Sequence, residues 1–80
     1  MLFRSTTNSA TVICSEPVKS FNFGSSVTGA TVYFIPSADY EGFTKTSATL
    51  TVTGDVVADG VTLYSASLST NALTITKISG

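Results

Sequence analysis

Residues 49–69 read TLTVTGDVVADGVTLYSASLS. Thr49, Thr51 and Thr53 alternate with Leu50 and Val52, the period-two pattern of a strand with one face turned to an apolar core. Gly54-Asp55 and Asp59-Gly60 then supply turn chemistry, and Asp-Gly is a strong hairpin signal. From Val61 the apolar phase starts on Val61 and Leu63 and moves to Tyr64, Ala66 and Leu68. A strand cannot change faces without a break in its pleat. The shift at Leu63–Tyr64 therefore predicts a β-bulge, or a strand that leaves one sheet for another. The stretch has no second copy in the chain, so it is not the unit of a repeat solenoid.

The same period extends outward from this stretch. Ala10–Cys14, Val18–Phe23, Ala30–Ile35, Lys45–Thr53, Val61–Ser69 and Ala72–Ile78 all read as strands, rich in β-branched and aromatic residues. Ala30–Ile35 is the most apolar and is expected at the centre of a sheet. Phe21 and Phe23 share a face, with Val18 on the other. Pro17 and Pro36 sit at strand edges, where a missing N–H does least harm. Ser25–Gly29 and Ser69-Thr70-Asn71 suit turns, and Pro36–Phe43 is the only long loop. No stretch has helical periodicity. The spacing predicts a single all-β domain over residues 1–80: a small antiparallel β-sandwich or barrel of about six or seven short strands, without significant helix. Residues 1–9, with apolar Leu2 and Phe3 ahead of a Ser/Thr/Asn segment, either cap that sandwich or form an N-terminal arm. The arm is the preferred reading, because chain ends are disordered unless tied down.

Composition narrows the function. A chain of 80 residues buries only about 60–65% of its unfolded surface, so its core is marginal and a staple is expected. Cys14 is the single cysteine, which removes an internal disulfide, and there is no His. Partner binding or self-association is then the staple to expect. Charged residues make up only 11% of the chain, whereas 12 Ser and 14 Thr supply most of its polarity. Soluble monomers usually carry about 25% charge. Hydroxyls in place of charges resemble interface composition, where desolvation must be cheap. A net charge of −1 with Arg4, Lys19, Lys45 and Lys77 scattered offers no footprint for nucleic acid. No apolar run approaches the ~20 residues that span a bilayer as a helix. MLFRSTTNSA lacks the apolar core of a signal peptide, and the free thiol fits a reducing cytoplasm.

Chemistry is read mainly as exclusion. Without His there is no Ser-His-Asp triad, Cys-His pair or His-ligated metal. No catalytic residue, cofactor site or metal site is expected, and the chain is read as a non-enzyme. Cys14, between Ile13 and Ser15, reads as a small buried hydrophobe. Asp39 and Glu41 lie in the long loop as a candidate sugar or Ca²⁺ site, or as solvated loop carboxylates. Asp55 and Asp59 read as turn formers. Tyr40 and Phe43, in the same loop, either fold back on the core or anchor a partner. Leu2, Phe3, Arg4, Tyr40, Glu41 and Phe43 are the candidate partner-contact residues.

Leu50–Gly60, LTVTGDVVADG, resembles a Leu-Thr-Val-x-Gly-(Asp/Asn)-Val phrase of structural proteins in tailed bacteriophages. The Ser/Thr-rich, charge-poor, His-free composition is similar too. Fibre shafts repeat the phrase, whereas here it occurs once, so the resemblance is closer to small head decoration or cement proteins. It implies a virion protein on the capsid surface, assembled in the host cytoplasm. Such a protein binds the major capsid protein or other virion proteins and associates with itself. The alternatives are a tail or fibre-attachment subunit, or a small phage-encoded module binding carbohydrate or a host protein.

Overall fold

The computed structural model describes residues 2–5, 11–24, 27–45 and 49–79. Among them are eight strands and no helix: β1 (Leu2–Ser5), β2 (Thr11–Ile13), β3 (Ser20–Phe23), β4 (Gly29–Phe34), β5 (Gly42–Lys45), β6 (Thr51–Thr53), β7 (Leu63–Ser69) and β8 (Ala72–Ser79). They form two sheets. Sheet A is three strands wide, in the order β1-β3-β5, and sheet B five strands wide, in the order β2-β4-β7-β8-β6. The small all-β fold read from the sequence is the fold observed.

The strand directions differ from the expected antiparallel pattern. From β1 to β6 successive strands alternate between sheets A and B, so neighbours within a sheet are separated by a strand of the other and run the same way. β1, β3 and β5 are all parallel, as are β2–β4 and β6–β8, and only β4–β7 and β7–β8 are antiparallel. Leu2 pairs with Ser20, Ser20 with Gly42, and Thr11 with Thr31. The chain therefore winds as a coil of roughly 20 residues per turn, near the lower end of stacked-repeat lengths. No sequence repeat accompanies the winding. A β7–β8 hairpin, closed at Thr70-Asn71, is inserted in sheet B between β4 and β6. Spacing along the sequence is the same for a coil and a meander, which is why it does not separate them.

Three local readings change with this topology. The strand expected over Lys45–Thr53 is divided: Lys45 ends β5 in sheet A, and Thr51–Thr53 form β6 in sheet B. Asp59-Gly60 closes no hairpin, because β6 and β7 are separated by β8. The N-terminal arm expected over residues 1–9 is, at Leu2–Ser5, an edge strand of the chain's own sheet; residues 6–9 lie outside the described residues. A register shift is present at Leu63–Tyr64, but β7 keeps one phase, with Thr62, Tyr64, Ala66 and Leu68 buried, so the expected inward facing of Val61 and Leu63 is not observed. Leu63 pairs with Ser79 and Tyr64 with Lys77, so Ile78 is the extra residue, on β8.

The inner faces of both sheets meet in one core: Phe21 and Phe23 from β3, Ala30, Val32 and Phe34 from β4, Tyr64, Ala66 and Leu68 from β7, and Leu73 from β8. Phe21 joins the sheets. Its ring lies edge-on to Phe23 at 5.3 Å and to Phe34 of sheet B at 5.2 Å. Val18 is also fully buried. It bridges to Pro36 at the end of β4 before the chain crosses to sheet A at Ser20, so the crossing resets the inward phase between Val18 and Phe21. Lys45 at the end of β5 donates to the Val27 carbonyl in the connection between β3 and β4.

Two substitutions test this frame. Phe21→Ala removes the inter-sheet contact and is expected to cost about 3–5 kcal/mol, read as the shift in urea unfolding. Gly54, at φ 105°, lies so close to β8 that an added Cβ would overlap the Ile75 carbonyl oxygen, whereas Gly60, at φ 77°, has open space around it. Gly54→Ala is expected to lose well over about 1 kcal/mol. Gly60→Ala should lose only the left-handed backbone cost of about 1–2 kcal/mol. Equal losses in the two would remove the role assigned to the close approach.

Candidate functional site

The long loop is built against sheet A. The Ser37 N–H bonds the Val18 carbonyl, the Tyr40 N–H the Ser37 carbonyl, and the Glu41 N–H the Lys19 carbonyl. This turns Tyr40 inward, where its ring sits 6.3 Å from Phe21 and 5.8 Å from Phe34. Its hydroxyl is buried without a hydrogen-bond partner among the described residues, and burial pushes its pKa up to about 12. Phe43 stacks on Phe21 at 5.8 Å. Of the two readings of these aromatics, the fold places both against the core.

Glu41 stays at the surface, 3.8 Å from the Lys19 ammonium, with Asp39 on the same ammonium at 3.9 Å. Asp39 also accepts a 2.7 Å bond from the Ser37 hydroxyl, which, with Lys19, holds its pKa below the usual range. Exposed pairs of this length are screened by solvent and contribute little to stability. Both carboxylates thus brace their own loop. Among the described residues no group of three or more His, Cys, Asp or Glu side chains is placed to hold a metal.

Leu2, Phe3 and Arg4 lie in β1, and their side chains fall outside the described residues. By register Phe3, Phe21 and Phe43 occupy one row across sheet A. The six candidate contacts are therefore distributed over the two edge strands of sheet A and the loop before β5, and they do not converge on one point. Cys14 is buried, and burial raises its pKa, the setting of an inert thiol.

The more regular surface is the outer face of sheet B. Thr11, Thr31, Ser67, Thr74 and Thr53 stand in a single register row across all five strands. The four other than Thr31 are exposed. Flanking rows carry Ile13, Tyr33, Ser65 and Thr76 on one side, and Gly29, Ser69, Ala72 and Thr51 on the other. None of these positions is charged. Adjacent strands lie about 4.8 Å apart, so the face is a close array of hydroxyls. The alternation at Thr49–Thr53 pointed to one edge of it. Assembling the rest requires the strand order.

The loop after β6 is fixed by Asp59, whose carboxylate accepts from the Val61 and Thr62 N–H groups and from the Thr62 hydroxyl at 2.6 Å. These bonds, the Thr62 hydroxyl first, hold its pKa down at about 2. They draw Thr62 into the interior and leave Val61, expected to face inward, 71% exposed. Beside this turn the Val57 N–H donates to the Tyr64 hydroxyl at 2.7 Å.

Comparison with known proteins finds no match to any family model, curated protein or solved structure.

A carboxylate whose pKa is depressed on folding adds stability that is complete above its unfolded pKa and is lost as pH falls through its folded one. For Asp59 that window runs from about 4 down to about 2. Asp59→Asn is expected to unfold at lower urea at neutral pH and to show a weaker loss of stability across this window. A pH series of urea midpoints reads both, and parallel pH curves for the two proteins would remove the role given to the Asp59 turn.

Proposed function

We propose that this chain is a non-enzymatic structural protein of a tailed-bacteriophage virion, a head decoration or cement subunit that binds the major capsid protein and stabilises the capsid surface. The observation that carries this reading is the uncharged hydroxyl face of sheet B. Covering a hydroxyl costs less than covering a charge, and a bridging partner group or water satisfies it readily. A face of this kind suits a broad, flat contact with another protein. The resemblance of Leu50–Gly60 to phage structural proteins points the same way. A subunit with a marginal core gains stability from such binding, and many weak identical contacts over a lattice add up to firm attachment.

The coiled connectivity, with parallel strands stacked along one axis, favours a tail or fibre-attachment subunit as the second reading. Particle composition tests both. Purified virions are expected to contain this 8.3 kDa chain in amounts comparable to the major capsid protein. A few copies per particle would favour the tail. Absence from intact virions would overturn both readings.

A further inference from the structure

Among the described residues sheet B ends in β2 on one side and β6 on the other, and these two end strands match each other. β2 lies parallel to β4 with Thr11 opposite Thr31, Val12 opposite Val32 and Ile13 opposite Tyr33. β4 and β8 are each antiparallel to β7, and β6 is parallel to β8. β6 therefore runs in the same direction as β4 and β2. Val52 shares the inward row of Leu73, and Thr51 and Thr53 share the outward rows of Ala72 and Thr74. Thr51-Val52-Thr53 thus repeats, side for side, the Thr31-Val32-Tyr33 pattern on which β2 already rests.

The two edges are also compatible in charge and polarity. Neither β2 nor β6 carries a charged residue, although Lys and other charges are the usual protection of an edge strand. Both leave apolar surface in water, Ile13 at 76% and Val52 at 47% exposure. Among the described residues no strand pairs with the outer side of either one.

We propose that these edges join copies of this chain head to tail. β6 of one copy pairs in parallel with β2 of the next, with Thr51 opposite Thr11, Val52 opposite Val12 and Thr53 opposite Ile13, so that sheet B continues across the junction. Sheet A is two strands narrower and is not part of the contact. The pairing satisfies unpaired backbone groups on both edges, as in strand addition. Its two surfaces are different patches of the same molecule, so the contact is heterologous and propagates as a row or a ring. A three-residue junction is weak alone, and it becomes effective at the high local concentration of an assembly. The inference does not depend on the virion reading, because purified protein suffices to test it.

The test uses Ile13→Lys, which blocks the β2 edge, and Val52→Lys, which blocks the β6 edge. Both side chains are exposed, and circular dichroism with urea unfolding verifies the fold of each variant. Sedimentation velocity is run on each protein up to millimolar concentration. The native chain is expected to grow in mass with concentration, without stopping at two copies. Each variant alone should remain monomeric. Mixed, they should form a dimer and stop there, because the intact β6 of one meets the intact β2 of the other. A native chain that stays monomeric throughout, a single variant that still assembles, or a mixture that stays monomeric or grows beyond two copies overturns the proposal.

Discussion

The contact between Phe21 and Phe34 holds this structure together. Phe21 is one of two inward residues of the middle strand of sheet A, and Phe34 ends the inward row of β4 in sheet B. Their rings meet at 5.2 Å, with Phe23, Tyr40 and Phe43 also gathered on Phe21. A chain of this size has few other ways to join two sheets. It has one cysteine, which is unpaired and buried, and its short strands contribute few residues each. Aromatic side chains bury about 150–250 Å² apiece, so concentrating them at one junction supplies much of the apolar area available.

The geometry of that junction shapes the rest of the surface. Phe21 centres sheet A, and the partners around it draw the Pro36–Phe43 loop inward. The loop's carboxylates remain outside, where Lys19 restrains them. Sheet B is two strands wider than sheet A and contains the inserted β7–β8 hairpin and β6. Its end strand β6 leaves Val52 exposed although Val52 pairs with buried Leu73, and its five strands together carry the hydroxyl array of the outer face. The same five-strand sheet thus carries the broad polar face and, among the described residues, two edges with no paired strand.

Much of this was legible beforehand. Alternation identified the segments of β2, β3, β4, β7 and β8 and most of their buried residues, because one-sided burial imposes a period of two whatever the neighbours are. Cys14 was readable as buried, whereas the apolar shift at Leu63–Tyr64 misled: Val61 and Leu63 are apolar without facing inward, and the bulged residue is Ile78 on β8. The candidate contacts fared differently. Tyr40 and Phe43 were equally consistent with anchoring a partner or closing the core. The choice was made by Phe21, which lies some 20 residues earlier in the chain and is brought beside them only by parallel pairing. β1 and β5 were missed as strands because Leu2-Phe3-Arg4-Ser5 and Gly42-Phe43-Thr44-Lys45 carry no apolar-polar alternation of their own.

What the sequence determined by itself is the class of structure and the character of its surface: strands, a one-sided core, and hydroxyls in place of charges. These follow from residue types and their local spacing. Only the tertiary structure decided which strands pair, in which direction, and which edges stay open. A strand's alternation is identical in parallel and antiparallel sheets. Direction is set instead by the route between strands, here a crossing to the opposite sheet at every step from β1 to β6, and by the distant aromatic contacts that make that route stable.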